Sequence, residues 1–374
     1  MASLIRRPLL AWLMFTVTCS ANQAEMGEVQ IHVVDVNGGP LPCRIHLADE
    51  QGEPQEAPGL PFWRDHFVCD GVAKLELPPG QYSYAVHRGP EYESDHGTLE
   101  IHGNQTTALD SQLERINNLR NRGWYAADLH VHRDYTDIEL LVRAADLDFA
   151  PVITWWNANN PWAERPLPSP LLRQFDGHRL VHLMAGEDER RGGALLYFGM
   201  KKPIDITGGK PEEPSPLDFV QQAVDQQPDV WIDIEKPFWW DVPTWLASGK
   251  VKSIGIANNH MCHNHMYEDE AWGKPRDDVR LPPPTGNGYW TQEIYYHILN
   301  CGLRIPPTAG SASGVLRNPV GYNRVYVHLD EPFSHDAWWQ ALSKGRCFVT
   351  NGPQLICTAN GQRPTAGICF EGRD

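Results

Sequence analysis

The sequence predicts an α/β protein in which a small N-terminal β-sandwich is followed by a larger domain of alternating strands and helices. Over residues 27–112, short apolar–polar alternations are separated by turns, which is the pattern of half-buried strands. From Gly123 onwards, apolar runs alternate with stretches of helical character, as βα units around a parallel sheet or barrel do. A length of 374 residues suits two domains better than one.

The sandwich is predicted from period-two patterns and the turns between them. Residues 29–33 and 82–86 alternate apolar and polar side chains, while residues 37–40 and 78–80 are rich in Gly and Pro. The stretch 77–82, Leu-Pro-Pro-Gly-Gln-Tyr, resembles the strand–turn–strand of carboxypeptidase-regulatory-like domains. That resemblance implies an accessory domain without chemistry of its own.

The larger domain is predicted to span residues 123–353, after a polar, helical linker over residues 113–122. A further strand segment is expected in residues 354–374. The predicted strands cover residues 149–154, 230–234, 251–257 and 324–327, and the predicted helices cover residues 138–145, 216–226, 291–301 and 336–343.

Composition limits the partners of the chain. Hydrophobic residues make up 41% and charged residues 21%, as in ordinary globular proteins. A formal charge of −15 argues against nucleic acid and anionic membranes, because both require a basic face. The 14 tryptophans suggest rigid walls around a cleft for a small-molecule or glycan-like substrate. No transmembrane segment is expected after the N-terminal run.

Residues 1–24 have the pattern of a signal peptide. Arg6 and Arg7 precede an apolar run over residues 9–17, and small residues follow, with a cut after Ala21 or Ala24. The sequence therefore predicts an exported protein, periplasmic or extracellular. A lipid anchor on Cys19 and a buried N-terminal helix remain alternatives. In an exported protein Cys43 and Cys69 either pair or stay reduced.

Residues 128–132, Asp-Leu-His-Val-His, give the strongest local signal for chemistry. In a strand, residues two apart point to the same side, so His130 and His132 present two imidazoles together. Such a pair suits a divalent metal, zinc foremost, with manganese or iron as alternatives. A histidine pair on the surface without a metal is the other interpretation.

An ordered set of segments resembles the polymerase-and-histidinol-phosphatase (PHP) superfamily. Residues 123–132 with Asp137 resemble its first motif, and Gly186-Glu187 resembles its Gly-x-Glu region, in which the glutamate bridges metals. The runs 300–304 and 310–311 resemble the approach to its last motif. The runs 321–327 and 345–353 resemble its carbaryl-hydrolase-like (CehA/McbA) branch. The resemblance implies a distorted (β/α)7 barrel and metal-dependent hydrolysis of an ester, amide, carbamate or phosphoester.

Several ligand positions of that family are changed in this chain. Residues 154–157 read Thr-Trp-Trp-Asn where the family has Thr-Asp-His, and Lys236-Pro237 replaces His-Pro. Residues 310–314 read Gly-Ser-Ala-Ser-Gly where the family has Gly-Ser-Asp-x-His. A full trinuclear site is therefore not expected, and a site of at most two metals is.

Replacement ligands stand at the ends of neighbouring predicted strands, which converge in a parallel barrel. The predicted metal ligands are His130, His132, Glu187, Glu235 and His260. Asp137 is the predicted catalytic residue, as a proton acceptor or a partner of an imidazole. Trp155, Trp156 and Asn157 are the predicted substrate-binding residues.

Each candidate also has an ordinary structural interpretation. Glu235 could pair with Lys236, His260 could be a hydrogen-bonded loop residue, and Glu187 could belong to a solvated turn. The tryptophans could be core. Two functions follow: a metal-dependent hydrolase with a reduced site, or a non-catalytic ligand- or glycan-binding protein on a degenerate barrel. The retained histidines and Glu187 favour the hydrolase, and the missing ligands favour the binding protein.

Overall fold

The computed structural model describes residues 25–206 and 208–355. The leader predicted over residues 1–24 and most of the C-terminal strand segment predicted over residues 354–374 lie outside the described residues. Within the described ranges, no helix is long and apolar enough to span a bilayer.

Residues 27–112 form two packed sheets. One has three strands in the order β5-β1-β8, and the other has five in the order β3-β4-β2-β6-β7. The strands are β1 (Gly27–Val34), β2 (Cys43–Ala48), β3 (Phe62–Trp63), β4 (His66–Cys69), β5 (Val72–Leu77), β6 (Gly80–His87), β7 (Asp95–Ile101) and β8 (Thr106–Gln112).

The alternation in the sequence explains the core between these sheets. Val29, Ile31 and Val33 of β1 are fully buried, while the residues between them reach the surface. Cys43 and Cys69 are cross-strand partners in β2 and β4. Both are free thiols in the structure, with their Sγ atoms 3.7 Å apart. Of the predicted helical linker, only a 3-10 turn over Arg120–Arg122 is helical.

A ten-stranded mixed sheet forms the rest of the described chain, in the order β16-β15-β14-β13-β12-β10-β9-β17-β18, with β11 beside β12. The strands are β9 (Trp124–Ala127), β10 (Phe149–Trp156), β11 (Leu172–Phe175), β12 (Arg179–Arg190), β13 (Gly193–Phe198), β14 (Trp231–Ile234), β15 (Ser253–Ala257), β16 (Pro307–Ala309), β17 (Arg324–His328) and β18 (Cys347–Thr350). The helices are α1 (Ile138–Ala144), α2 (Pro216–Gln226), α3 (Val242–Ala247), α4 (Gly286–Asn300) and α5 (His335–Ser343).

The sheet curls until its ends meet, so that it forms a nearly closed barrel. β16 and β18 lie side by side although they stand at opposite ends of the strand order. Beyond the end of β9, Val131 bridges both Val152 and Ser313. The backbone N–H of Leu129 also donates to the carbonyl of Ala309. The segment that carries the two histidines therefore joins two otherwise distant strands.

The prediction of a (β/α)7 barrel is wrong. β13 runs antiparallel to both β12 and β14, and β17 runs antiparallel to both β9 and β18. Strands predominate, and the described residues contain five α-helices. The reason lies in the connections. Only two residues join β12 to β13, which allows a hairpin, whereas a parallel crossover needs a dozen or more residues.

A buried carboxylate joins the sandwich to the barrel. Asp146 follows α1 and accepts hydrogen bonds from Arg115 (2.6 Å) and Arg179 (2.7 Å), with Arg88 at 3.5 Å and Arg120 at 3.8 Å. Burial opposes its ionisation, but the surrounding guanidinium groups hold the pKa of Asp146 well below its usual range. The junction between sandwich and barrel is therefore held by ionic hydrogen bonds.

Candidate functional site

The backbone beyond β9 sets the direction of the two histidines. Val131 is fully buried in the core, and its bridges on both sides keep the segment extended. The side chains of His130 and His132 therefore lie together on the opposite side, with ring centroids 5.0 Å apart. Gly310 permits this packing, since a Cβ atom there would lie 2.2 Å from the Cβ of His130.

Asp128 fixes the start of this segment. Its Oδ1 accepts hydrogen bonds from the backbone N–H groups of His130 (3.1 Å) and Ser311 (2.9 Å). Its Oδ2 accepts from the Ser311 hydroxyl (2.5 Å) and from the N–H of Gly321 (2.7 Å). Burial raises the pKa of Asp128, and the four hydrogen bonds only partly offset that effect. The carboxyl group ties the histidine segment to the loops that follow β16.

Glu187 reaches the histidines from the neighbouring part of the barrel. It lies in β12, is 2% exposed, and sits opposite Trp156 in the parallel register with β10. Its Oε2 is 3.0 Å from His132 Nε2 and 3.5 Å from His130 Nε2, while the two Nε2 atoms are 3.0 Å apart. The alternative of a solvated turn at Glu187 is therefore wrong.

The atoms of these three side chains lie within 3.5 Å of one another, but not every contact is a hydrogen bond. Glu187 Oε2 is buried and accepts no hydrogen bond of acceptable angle, so the ring N–H groups are not directed at it. Burial alone would raise the pKa of Glu187, but the charge of His130 beside it holds that pKa well below the usual range. A carboxylate oxygen and two ring nitrogens thus face one another where the side chains are at most 8% exposed.

A divalent cation fits among the three atoms. They satisfy the mutual spacing of a metal-binding group, with every pair within 4.8 Å. A circle through them has a radius of about 1.8 Å, so these three atoms would reach a shared cation at the ~2.0–2.1 Å bond lengths of zinc sites. Two imidazoles and one carboxylate are a common ligand set for catalytic zinc.

Glu235 lies on the other side of His130. Its Oε1 is 3.6 Å from His130 Nδ1, the nitrogen that points away from Glu187. The same oxygen accepts hydrogen bonds from Lys236 Nζ and from Asn259 Nδ2, and Oε2 accepts from Trp239 Nε1 at 3.2 Å. Glu235 therefore forms the ion pair with Lys236 and also lies close to His130, as the sequence predicted. The carboxylate faces the outer nitrogen and stands apart from the three converging ligand atoms.

Two other predicted site residues lie away from the converging atoms. His260 is outside the group of three ligand atoms and packs between Tyr267 and Phe238, at 4.8 and 5.5 Å between ring centroids. Burial, and then the charge of Lys236, lower its pKa well below the usual value. Asp137 stands directly before α1, and its carboxylate accepts from the Thr136 hydroxyl at 3.5 Å. Although Asp137 is close to His132 in sequence, it is not part of the group formed by the two imidazoles and Glu187.

The three predicted substrate-binding residues lie in three different environments. Trp155 is in the core, 1% exposed, where its ring covers Gly186. Trp156 points the other way and packs against His132, with ring centroids 5.1 Å apart. Asn157 has a left-handed backbone (φ +50°) and accepts a hydrogen bond from the N–H of Glu189 at 2.7 Å. It lines a cavity of about 520 Å³ beside β12.

The sequence did not identify two acids near the site, the half-buried Glu189 and the buried Asp233. Glu189 lies two residues beyond Glu187, on the same side of β12, and lines the same cavity as Asn157. Burial, and then the charges of Glu187 and Glu235, raise its pKa to about 7. Burial also raises the pKa of Asp233 to about 7, although Ser253 and Thr308 donate hydrogen bonds to it. Period-two alternation would have revealed Glu189 had residues 187–190 been recognised as strand.

A second group of the same residue types lies in the sandwich. His46, Asp65 and His66 also offer ligand atoms within 4.8 Å of one another. Asp65 Oδ1 is 2.8 Å from His66 Nδ1, and Asp65 Oδ2 is 3.6 Å from His46 Nδ1. Spacing alone does not distinguish this group from the one around His130.

Solved structures similar to this chain include a PHP-like protein at low sequence identity. No family model matches the chain, and no curated protein does. Among solved structures, a two-domain protein from Bacteroides vulgatus containing a predicted PHP-like metal-dependent phosphoesterase is 14% identical, with a TM-score of 0.40 over 61% of this chain and 64% of that one. PsfC from Pseudomonas syringae is 15% identical, with a TM-score of 0.36 over 61% and 91%. The TIE protein of Bacillus anthracis is 18% identical, with a TM-score of 0.20 over 29% and 18%.

The match spans less than two thirds of the Bacteroides protein and under a fifth of the TIE protein. A PHP-like phosphoesterase is thus among the solved structures similar to this chain. TM-scores this low do not establish a shared fold, so the functional argument rests on the geometry of the site.

Proposed function

We propose that the protein is a metal-dependent hydrolase whose divalent cation is held by His130, His132 and Glu187. The observation that carries the proposal is the convergence of their ligand atoms, with Glu187 Oε2 buried and lacking a hydrogen bond. Burying a carboxylate without hydrogen bonds is costly, and a shared cation removes that cost. The mixed nitrogen and oxygen set fits zinc, and manganese or iron are also compatible.

His130, His132 and Glu187 would hold the cation, which when bound would supply polarisation of a carbonyl or phosphoryl oxygen and a lowered pKa of water. The surrounding residues have separate tasks in this proposal. Glu235 orients His130 through Nδ1, as carboxylate partners of ligating imidazoles do. Trp156 covers His132 and excludes water. Glu189 presents a carboxyl group to the adjacent cavity, where it can exchange a proton with a substrate.

The substrate class proposed is an ester, amide, carbamate or phosphoester. Assignment to the CehA/McbA branch rests on the sequence resemblance of residues 321–327 and 345–353 alone. Export from the cytoplasm is likewise proposed from the pattern of residues 1–24.

The first test is metal content and activity of the chain purified without chelator. We expect about one equivalent of a divalent metal by elemental analysis, and hydrolysis of at least one of four chromogenic substrates: an aryl acetate, an aryl N-methylcarbamate, an aryl phosphate and a bis-aryl phosphate. The double change His130→Ala, His132→Ala should remove both metal and activity.

The matched control is His46→Ala, His66→Ala, which removes two histidines of the other group. It should leave the metal content unchanged. Wild-type protein that neither carries nor takes up a divalent metal would refute the metal site. Stoichiometric metal with no hydrolysis of any of the four substrates would favour the ligand-binding protein over the hydrolase.

A further inference from the structure

A separate cavity of about 240 Å³ lies where the sandwich meets the barrel. Arg44 and His87 line it from the sandwich, and His263, Tyr322 and Arg324 line it from the barrel. None of the described residues that line it carries a carboxylate. In a chain with a formal charge of −15, a cavity walled by two arginines and two histidines is an unusual concentration of donors.

Among residues 25–206 and 208–355, no carboxylate forms an ion pair with Arg44. Asp65, which acts on it at longer range, is instead paired with His46 and His66. Arg44 Nε donates a hydrogen bond to His46 Nε2 at 3.2 Å. Burial lowers the pKa of Arg44 to about 10, and the charge of Arg324 contributes to that shift. Two cations therefore face the same enclosed space.

Arg324 is also only partly satisfied. It is 2% exposed, and its Nε and Nη2 donate to the carbonyls of Gly321 (2.7 Å) and Ala145 (3.0 Å). Its Nη1 is buried and has no acceptor among the described residues. Gly89, which lines the cavity, lies against this guanidinium, since a Cβ there would be 3.3 Å from Nη1. Among the described residues, no carboxylate forms an ion pair with this guanidinium.

A metal ion bound at His46 and Asp65 is not compatible with the hydrogen bond from Arg44. Arg44 Nε always carries a hydrogen, so His46 Nε2 must be the unprotonated nitrogen that accepts it. The proton of neutral His46 then sits on Nδ1, the atom that faces Asp65 and would have to bind a metal. The neighbouring guanidinium further disfavours a second positive charge.

We propose that this cavity binds a tetrahedral oxyanion, as free phosphate or sulfate or as the terminal group of a larger molecule. The planar forks of two arginines match the oxygens of such an anion, and hydrogen bonds to it are charge-assisted. His87, His263 and Tyr322 supply further donors around it. The volume holds one oxyanion with several waters, at about 30 Å³ per water.

The test is calorimetric titration of sulfate and phosphate into the His130→Ala, His132→Ala protein, which removes the proposed metal site as a competing anion binder. Sodium chloride at equal ionic strength is the reference. We expect one site per chain, and a melting temperature that rises with the logarithm of sulfate concentration. Arg44→Gln should weaken binding at least tenfold. Arg64→Gln, which removes an exposed arginine of the same domain outside the cavity, should leave binding unchanged.

A second variant keeps the test decisive if Arg44→Gln folds poorly. Ser94 is exposed at the cavity mouth, so Ser94→Trp should block the anion without changing charge. Glucose 6-phosphate separates the two sources: binding of sulfate, phosphate and glucose 6-phosphate indicates a site for a terminal group, and binding of the inorganic ions alone indicates a site for the free ion. Absence of sulfate and phosphate binding, or an equal loss in Arg64→Gln, overturns the proposal.

Discussion

The group around His130 and the group around His66 contain the same residue types, two histidines and one carboxylate, at similar spacing. They differ in the atoms that face the rings. In the barrel, two Nε2 atoms and Glu187 Oε2 converge, and Oε2 accepts no hydrogen bond. In the sandwich, Arg44 Nε donates to His46 Nε2.

We infer from this difference that the positions of the protons decide which group can hold a metal. A metal ligand needs a lone pair that no hydrogen occupies. In the barrel group two Nε2 atoms and Glu187 Oε2 lie 3.0–3.5 Å from one another, whereas the sandwich group has a guanidinium at one nitrogen of His46 and a carboxylate at the other. The first group fits a cation, and the second belongs to a cluster of donors that fits an anion.

The largest effect is expected at Asp146, whose carboxylate, unlike that of Glu187, is surrounded by arginines. Asp146→Asn should lower the free energy of unfolding by about 3–5 kcal/mol, because it removes the negative charge that faces the buried guanidinium groups of Arg88 and Arg179. Urea denaturation at pH 7 measures the loss. Asp110→Asn, an exposed carboxylate, should stay within about 0.5 kcal/mol.

Acid gives a second measurement on Asp146. Its folded-state pKa lies below the unfolded value, so its stabilisation is present above about pH 3.9 and is lost as pH falls from there. The free energy of unfolding of the wild-type protein should therefore fall more steeply below pH 4 than that of Asp146→Asn. Parallel curves would contradict the role given to the arginines.

The next effect is on metal affinity. Glu187→Gln removes the anionic ligand of the barrel group and should weaken zinc binding by more than the roughly 10–100-fold that outer partners contribute. Asp65→Asn makes the same chemical change in the sandwich group and should leave zinc binding unchanged. Competition with a fluorescent chelator measures both. Equal losses in the two variants would show that the groups do not differ as described.

A smaller effect is expected from Glu235, which faces the outer nitrogen of His130. Glu235→Gln keeps the shape but removes the charge, and should weaken zinc binding roughly 10–100-fold. Lys236→Met serves as the control, because it removes the ion pair while leaving the carboxylate beside His130. A loss in Glu235→Gln as large as that in Glu187→Gln would indicate that Glu235 is itself a ligand.

The sequence predicted the positions of the elements better than their arrangement. The helix predicted over residues 216–226 is α2, and the apolar run 149–154 lies in β10. Apolar periodicity reports burial but not strand direction, so the antiparallel hairpin of β12 and β13 was missed. Period two did place His130 and His132 on one side, since that is a local property of extended backbone.

Contacts between distant elements could not be predicted from the sequence alone. Glu235 was expected at a converging strand end and does approach His130, but on its Nδ1 side, because Asn259 and Trp239 hold the carboxylate there. Trp155 and Trp156 are adjacent and point in opposite directions, so one joined the core and the other the site. Such side-chain directions depend on which strands become neighbours.

The smallest expected effect tests the comparison most directly, because it asks whether Arg44 alone prevents the sandwich group from binding a cation. Arg44→Met removes the donor to His46 Nε2 and the neighbouring charge while keeping a long apolar stem. The proton of His46 can then move to Nε2, which frees Nδ1 beside Asp65. In the His130→Ala, His132→Ala background, Arg44→Met should gain one weak zinc equivalent in a calorimetric titration. Arg64→Met, matched in charge and domain, should gain none. If Arg44→Met also binds no zinc, the geometry of His46, Asp65 and His66 itself excludes the metal, and the proton argument is not what distinguishes the two groups.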